Sequence, residues 1–115
     1  MAQDIQARLR FLAISAHKVR LVLDVVRGKD AVEALDTLRF MPQGAARPVF
    51  KLLSSAVSNA EEYFGVSRDD LYIAKIYADE APTRKWRRFG ARGRVKPRLR
   101  RSSHLSVILR EHEGA

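Results

Sequence analysis

Eleven basic residues and no acidic residue lie between positions 81 and 110 of this chain. Nine of the eleven are arginine, whose planar guanidinium binds phosphate through two parallel hydrogen bonds and stacks on nucleobases. Trp86 and Phe89 stand among these charges, and aromatic rings can stack on unpaired bases. The segment therefore predicts a phosphate-rich partner, with RNA favoured over duplex DNA. The candidate RNA-binding residues of the segment are Arg84, Lys85, Trp86, Arg87, Arg88, Arg92, Arg94, Lys96, Arg98, Arg100 and Arg101.

The positive charge of the protein is concentrated in this one segment. The 115 residues have a net charge of +9, whereas the residues outside 81–110 carry eleven basic and thirteen acidic side chains. Clustered lysine and arginine indicate a surface that binds a polyanion. A solvated surface and a membrane-surface patch are the alternatives, but the charges repel one another without an anion, and the segment lacks an amphipathic helical period. Whether Trp86 stacks on a base or packs into the core stays open.

The same search finds no arrangement of residues suited to catalysis. The three histidines lack metal-ligand spacing, and the chain has no cysteine. Ser102, Ser103 and His104 have the right types for a nucleophile and a base, but neighbours on a strand point to opposite faces. Gly28-Lys29 lacks the glycine spacing of a phosphate-binding loop. We therefore expect a protein that is not an enzyme and that holds no cofactor and no metal.

Apolar periodicity predicts the elements that must position the basic segment. The pattern predicts a strand at 7–13, helices at 15–27, 30–40 and about 47–64, and strands at 71–79 and 105–109. In the first strand, Ala7, Leu9, Phe11 and Ala13 are predicted to share one face. Asp30 with Glu33 is a capping-box pair. The expected class is an α+β fold with three helices packed on a small antiparallel three-stranded sheet, from which a long β-hairpin protrudes.

About 25 residues, 80–104, separate the last two predicted strands; the segment is too long for a hairpin loop and too polar for the core. They could form a disordered basic loop or a two-stranded ribbon that continues the flanking strands. Gly90 and Gly93 bracket a plausible tip, while Pro82 and Pro97 favour extended backbone, so we favour the ribbon. Such a ribbon would project about 30 Å. It would be marginally stable alone and ordered against a partner.

The length of the chain predicts one domain, with a body at 5–80 and 103–111 and an arm at 81–102. No window contains the 18 or more apolar residues that a membrane span needs, and the first residues are polar. We expect a cytoplasmic protein that binds no membrane.

Several motifs resemble the bacterial-type large-subunit ribosomal protein twenty-two family over roughly residues 7–109. They are Ser15-Ala16-His17-Lys18-Val19-Arg20-Leu21-Val22, Arg27-Gly28-Lys29, Ser58-Asn59-Ala60-Glu61, Asp79-Glu80-Ala81-Pro82, Gly93-Arg94 and Arg101-Ser102-Ser103-His104. The resemblance implies a structural protein that binds large-subunit ribosomal RNA and supports assembly. The resemblance also implies further RNA-binding candidates outside the list above: His17, Lys18, Arg20, Arg27, Lys29, Ser102 and His104.

The resemblance also implies a path for the arm, inward from the subunit surface to the nascent-peptide exit tunnel. The implied partners are neighbouring ribosomal proteins and, near the tip, the nascent peptide and macrolides, with no homo-oligomer. The implied tunnel-lining residues are Phe89, Gly90, Ala91, Arg92, Gly93, Arg94 and Val95. The rival interpretation is a dimeric DNA-binding regulator that uses the arm as a ribbon in a groove.

Overall fold

The structure is a computed structural model that describes residues 4–82, 84–89 and 95–112, with the backbone alone described for 84–89 and 95–100. The predicted tip from Gly90 to Gly93, together with Arg94, Thr83 and the residues 1–3 and 113–115, therefore lies outside the described part of the chain. Along the described residues the elements are β1 (Ile5–Leu12), α1 (Ala16–Val26), α2 (Ala31–Phe40), α3 (Ala46–Phe64), a 3₁₀ turn (Arg68–Asp70), β2 (Leu71–Glu80), β3 (Arg84–Phe89), β4 (Val95–Arg100) and β5 (Ser103–Glu111).

Strands β1, β5 and β2 form an antiparallel sheet in that order, with the last strand of the chain in the centre. Side chains of β5 alternate between the two faces, and its Leu105, Val107 and Leu109 are completely buried on the inner face. The helices cover this inner face. The outer face is not covered by any described element and carries polar and basic side chains, which makes it available to a partner.

The third helix is the longest, and its apolar stripe is buried as the sequence predicts. Val49, Leu53, Val57 and Ala60 recur at helical spacing and are inaccessible to solvent, which packs α3 against the sheet. Gly65 ends the helix at φ +66°, in the left-handed region that glycine adopts without a steric penalty. The α+β class with three helices on a three-stranded antiparallel sheet is confirmed.

Strands β3 and β4 form a separate two-stranded antiparallel sheet, which we call the ribbon. Six pairs run from Arg84 opposite Arg100 to Phe89 opposite Val95. At its base, the Ala81 N–H donates to the Ser102 carbonyl at 3.0 Å, directly beyond the pair Glu80 and Ser103 that ends the large sheet. The ribbon therefore continues β2 and β5, and the predicted long protruding hairpin is confirmed. The chain extends 69 Å along its longest axis against 25 and 19 Å across.

The first strand departs from its predicted pattern. Its pairing with β5 shifts between Leu9 and Leu12, and Phe11 lies in the bulge with φ +56°. The extra residue reverses the alternation, so that Leu12 turns inward and Phe11 is 63% exposed. The prediction that Phe11 and Ala13 share the core face with Ala7 and Leu9 is wrong. A bulky residue in the left-handed region costs about 1 to 2 kcal/mol.

The predicted capping box at the start of α2 is also wrong. The Asp30 side chain accepts no helical amide, and its Oδ1 lies 2.7 Å from Nε2 of His112. The His112 ring stacks on Tyr72, with ring centroids 4.7 Å apart. This contact with the chain's last described residue takes the carboxylate away from the helix, which sequence spacing could not reveal.

The strand boundaries differ modestly from the predicted ones. β1 begins at Ile5 rather than at residue 7, and β5 spans Ser103–Glu111 rather than 105–109. β5 begins earlier than predicted because Ser103 still pairs with Glu80 of β2. The Ser103 hydroxyl is buried and donates to the Ile14 carbonyl at 2.9 Å.

Candidate nucleic-acid interface

The ribbon places its basic residues at a high density along two paired strands. Seven of the twelve residues of β3 and β4 are lysine or arginine and none is acidic. Two register pairs, Arg84 with Arg100 and Arg88 with Lys96, set like charges opposite each other. Like charges in directly opposite positions destabilise a sheet. An anionic partner would remove this repulsion, so the register itself favours a polyanion.

Pro97 stands in β4 opposite Arg87, a position that a central strand would not tolerate. Both strands of a two-stranded ribbon are edges, and proline is confined to edge strands because it has no N–H to donate. The proline therefore fits a ribbon that does not add further strands. The side chains of 84–89 and 95–100 and the residues Arg92 and Arg94 lie outside what the structure describes, and so does the alternative role of Trp86.

Helix α1 carries the candidate residues His17, Lys18 and Arg20, with Arg27 as its C-cap, and starts at a well-formed N-cap. The Ser15 hydroxyl accepts the Lys18 N–H at 3.4 Å, as an N-cap serine does. His17 and Lys18 follow in the first turn and are exposed, and no side-chain partner of theirs occurs among the described residues. They are open to a partner on the surface.

Two candidate arginines, Arg20 within α1 and Arg27 at its C-cap, also make structural contacts that sequence reasoning missed. Arg20 donates to the Ala78 carbonyl at 2.8 Å, and Arg27 donates to the Ile76 carbonyl at 3.0 Å and pairs with Asp24. Strand β2 is an edge of the sheet, so carbonyls on its outer side have no neighbouring strand. The two guanidiniums hold α1 along this edge and bring its first half beside the base of the arm. Their remaining N–H groups leave capacity for phosphate.

The other candidate residues lie at the base of the arm or at the end of α1. Arg101 is exposed and Ser102 is half-buried, with its carbonyl bonded to Ala81. Lys29 is half-buried with its Nζ 4.0 Å from the Glu33 carboxylate. Arg101 and Ser102 lie where the ribbon meets the body, whereas Lys29 lies beside Ile73, near the opposite end of β2.

The outer face of the sheet adds basic residues that the sequence analysis did not include. Arg8 and Arg10 of β1 are exposed, and no ion-pair partner of theirs occurs among the described residues. Arg8 lies opposite Ser106 of the central strand. The alternation of Arg8 and Arg10 with apolar residues was the available signal, since a strand that buries one face presents the other to a partner.

Arg110, which also lies on this face, is neutralised within the protein by Asp4. Arg110 donates to both carboxylate oxygens of Asp4, at 2.5 and 3.3 Å. This hydrogen bond, together with the positive charge of Arg110, lowers the pKa of Asp4 from its usual range. The pair joins the start of β1 to the end of β5.

A groove of about 510 Å³ lies where β1 meets the first half of α3. Arg8, Arg47 and Lys51 line it together with apolar residues. The last turn of α3 instead carries Glu61 and Glu62. Basic residues at the start of a helix and acidic ones at its end oppose the helix dipole. This distribution of charge along α3 therefore does not stabilise the helix. Instead, Arg47 and Lys51 extend the basic surface around β1.

Neither a metal centre nor a membrane span was found in the part of the chain that the structure describes. Within that part, no three histidine, aspartate or glutamate side chains lie close enough to hold a metal ion. None of the described helices combines the length and low polarity needed to cross a membrane.

Comparison with known proteins identifies a matching family model and relatives that cover almost the whole chain. The family model described as Ribosomal protein L22p/L17e matches residues 7–110. The chain is 46% identical over 110 residues to the large ribosomal subunit protein uL22 of Thermoanaerobacter sp. (strain X514), covering 96% of this chain and 99% of that protein. It is 47% identical over 107 residues to the protein of that name from Caldicellulosiruptor saccharolyticus, covering 93% and 88%. It is 43% identical over 108 residues to the large ribosomal subunit protein uL22 of Pediococcus pentosaceus, covering 94% of this chain and 92% of that protein.

Proposed function

The chain belongs to the ribosomal protein L22p/L17e family, and from this we propose that it is a structural constituent of the large ribosomal subunit that binds ribosomal RNA. Family membership confirms the resemblance drawn from the motifs and the expectation that the protein is not an enzyme. It also agrees with a location in the cytoplasm, within the ribosome. The rival interpretation as a dimeric DNA-binding regulator loses its support.

The observation that carries the proposal is the ribbon, in which two of the six pairs set basic residues opposite each other and neither strand has an acidic residue. A two-stranded sheet is marginal in water even without repulsion. Ribosomal RNA supplies closely spaced phosphates that neutralise these charges, and neutralisation releases counterions from the RNA. The ribbon therefore gains order and affinity from one and the same partner.

The arm would perform the finer part of this function. We propose one domain, in which the body at 5–80 and 103–111 docks on ribosomal RNA and the arm at 81–102 runs inward to line the nascent-peptide exit tunnel. The tip at residues 89–95 would lie near the nascent peptide and bound macrolides. The family resemblance and the 69 Å length of the molecule support this arrangement. Neighbouring ribosomal proteins would contact the body.

The proposed RNA-binding surface combines the arm with α1 and the base of the arm. His17 and Lys18 would contact RNA directly, because they are exposed without a partner among the described residues. Arg20 and Arg27 would combine a bond to β2 with a contact to phosphate. Lys29, Arg101, Ser102 and His104 complete the surface at the edge of the body.

Replacing the ribbon by a tight turn tests the proposal without disturbing the body. Because the Ala81 N–H bonds the Ser102 carbonyl, the two chains are adjacent at this level, and an Asn-Gly turn in place of residues 84–100 can close them. In bacterial cells that express either version, RNA crosslinked to the protein is sequenced, and the lysate is sedimented. The full chain should crosslink to large-subunit ribosomal RNA and sediment with that subunit.

The shortened chain should lose crosslinks at the tunnel wall while keeping those made by the body. Circular dichroism of the purified protein checks that the body remains folded. Crosslinks of the full chain spread over messenger RNA or DNA would refute the ribosomal assignment. Tunnel-wall crosslinks that survive the replacement would refute the path proposed for the arm.

A further inference from the structure

Phe11 combines two features that are unfavourable for the free protein. Its backbone has φ +56°, a conformation that bulky residues rarely adopt, and its phenyl ring is 63% exposed to water. Glycine or asparagine would adopt this backbone with less strain, and neither would expose an aromatic ring. Strained residues of this kind cluster at binding sites. The arrangement therefore indicates that the ring serves a partner.

The ring of His104 holds the phenyl ring in place. The two centroids lie 4.6 Å apart with the planes at 84°, and the Phe11 N–H donates to Nδ1 of His104 at 3.0 Å. An imidazole nitrogen that accepts a hydrogen bond carries no proton, so the proton of the neutral ring is on Nε2. Nε2 has no partner among the described residues and can donate to a ligand.

A small cavity of about 240 Å³ opens beside the two rings, bounded also by Asp79, Arg8 and Arg10. It is smaller than the pockets that usually hold whole small molecules. The Asp79 carboxylate accepts hydrogen bonds and would repel a phosphate inside the cavity, whereas the exposed arginines beside it would attract one outside. The cavity therefore suits a flat uncharged group that carries donors and acceptors and is attached to phosphates.

We propose that Phe11, His104 and Asp79 bind one unpaired nucleobase of RNA, with Arg8 and Arg10 on the phosphates that flank it. The base stacks on Phe11, accepts a hydrogen bond from Nε2 of His104 and donates to Asp79. Each of the four RNA bases offers a donor next to an acceptor, so these contacts select an unpaired base rather than a sequence. This inference rests on the proposed RNA-binding function and adds a site outside the arm.

Substitutions at Phe11 separate a ligand-binding role from a structural one. Phe11→Gly removes the ring and the backbone strain together, so the free protein should unfold at the same or a higher temperature. Its affinity for large-subunit ribosomal RNA should nevertheless fall about 5- to 150-fold, the range expected for loss of one stacked base. Phe11→Trp keeps a stacking surface and should restore affinity. If glycine loosens β1, Phe11→Asn, which also tolerates this backbone, provides the same comparison.

Tyr63→Ala is the matched control, because Tyr63 is 76% exposed and lies beside acidic residues on α3. All variants are full-length chains titrated with purified large-subunit ribosomal RNA, and the sites of ultraviolet crosslinking are mapped on protein and RNA. The wild-type peptide containing Phe11 should carry a crosslinked nucleotide, and Tyr63→Ala should bind like wild type.

The results also distinguish failure of this inference from failure of the proposed function. If wild type binds large-subunit ribosomal RNA and Phe11→Gly binds equally well with unchanged crosslinks, the nucleobase site is refuted and the proposed function stands. If wild type itself shows no preference for this RNA over heparin, the proposed function fails first.

Discussion

The opposed pair Arg88 and Lys96 offers the sharpest test of the ribbon as a phosphate-binding element. Replacing both by glutamine removes two positive charges at one level of the ribbon without changing its register. If both side chains contact phosphate, the slope of log affinity against log salt should become shallower by about 1.4 to 1.8. Between 50 and 200 mM salt, wild type should then lose about tenfold more affinity than the variant.

Filter binding of the full chain to large-subunit ribosomal RNA over a salt series measures this slope. Arg39→Gln with Arg68→Gln is the matched control, since it lowers the net charge equally at exposed sites outside the proposed interface. Arg68 pairs with Glu61, and Arg39 lies over the Phe50 ring. The control should leave the slope unchanged. An equal change in both double variants would refute the proposed contacts, because net charge alone would then explain the binding.

Three further predictions concern the body. Ser103→Ala should lower the free energy of unfolding, measured in urea, by about 1 to 2 kcal/mol. The substitution removes the buried hydroxyl that donates to the Ile14 carbonyl and so leaves that carbonyl without a donor. Gly65→Ala should cost about 1 to 2 kcal/mol in the same assay because φ is +66°, whereas Gly44→Ala, with a free space around it and no positive φ, should be near neutral. Asp4→Asn should be less stable than wild type at neutral pH, because the hydrogen bond from Arg110 lowers the pKa of Asp4 in the folded protein. The difference in unfolding free energy should disappear as the pH falls through that lowered pKa and the wild-type carboxylate becomes protonated.

The parts of the fold that follow from local periodicity could be predicted from the sequence. The stripe of Val49, Leu53 and Val57 indicates both that the segment is a helix and which face of the helix is buried. Both follow from the spacing of these residues within one element, without knowledge of any other part of the chain. The ribbon was also predictable in outline, since a long polar insertion between two strands has few alternatives. Its registration, Arg84 with Arg100, depends on the pairing of the flanking strands and had to be observed.

The basic arm of the candidate site could be predicted from its charge density alone. The parts of the site that depend on contacts between distant residues could not. Alternation placed Phe11 in the core, and only the shifted pairing with β5 turns it outward against His104. Arg20 and Arg27 illustrate the converse. The sequence marks them as surface residues of a helix, but their bonds to β2 depend on where the edge of the sheet passes. Such contacts join residues that are about 50 or more positions apart, which no local pattern encodes.

The base of the arm shows how a marginal ribbon can be held by a stable body. Ser103 is buried in the central strand and bonded to Ile14, and the next bond outward joins Ala81 to Ser102. The first pair of the ribbon therefore starts from a fixed point, which lowers the entropy lost when the rest becomes ordered on RNA. Stability and affinity are consequently separable in this protein. A change at Ser103 should affect folding and, through folding, binding, whereas a change at Arg88 should affect binding while leaving the unfolding of the body unaltered.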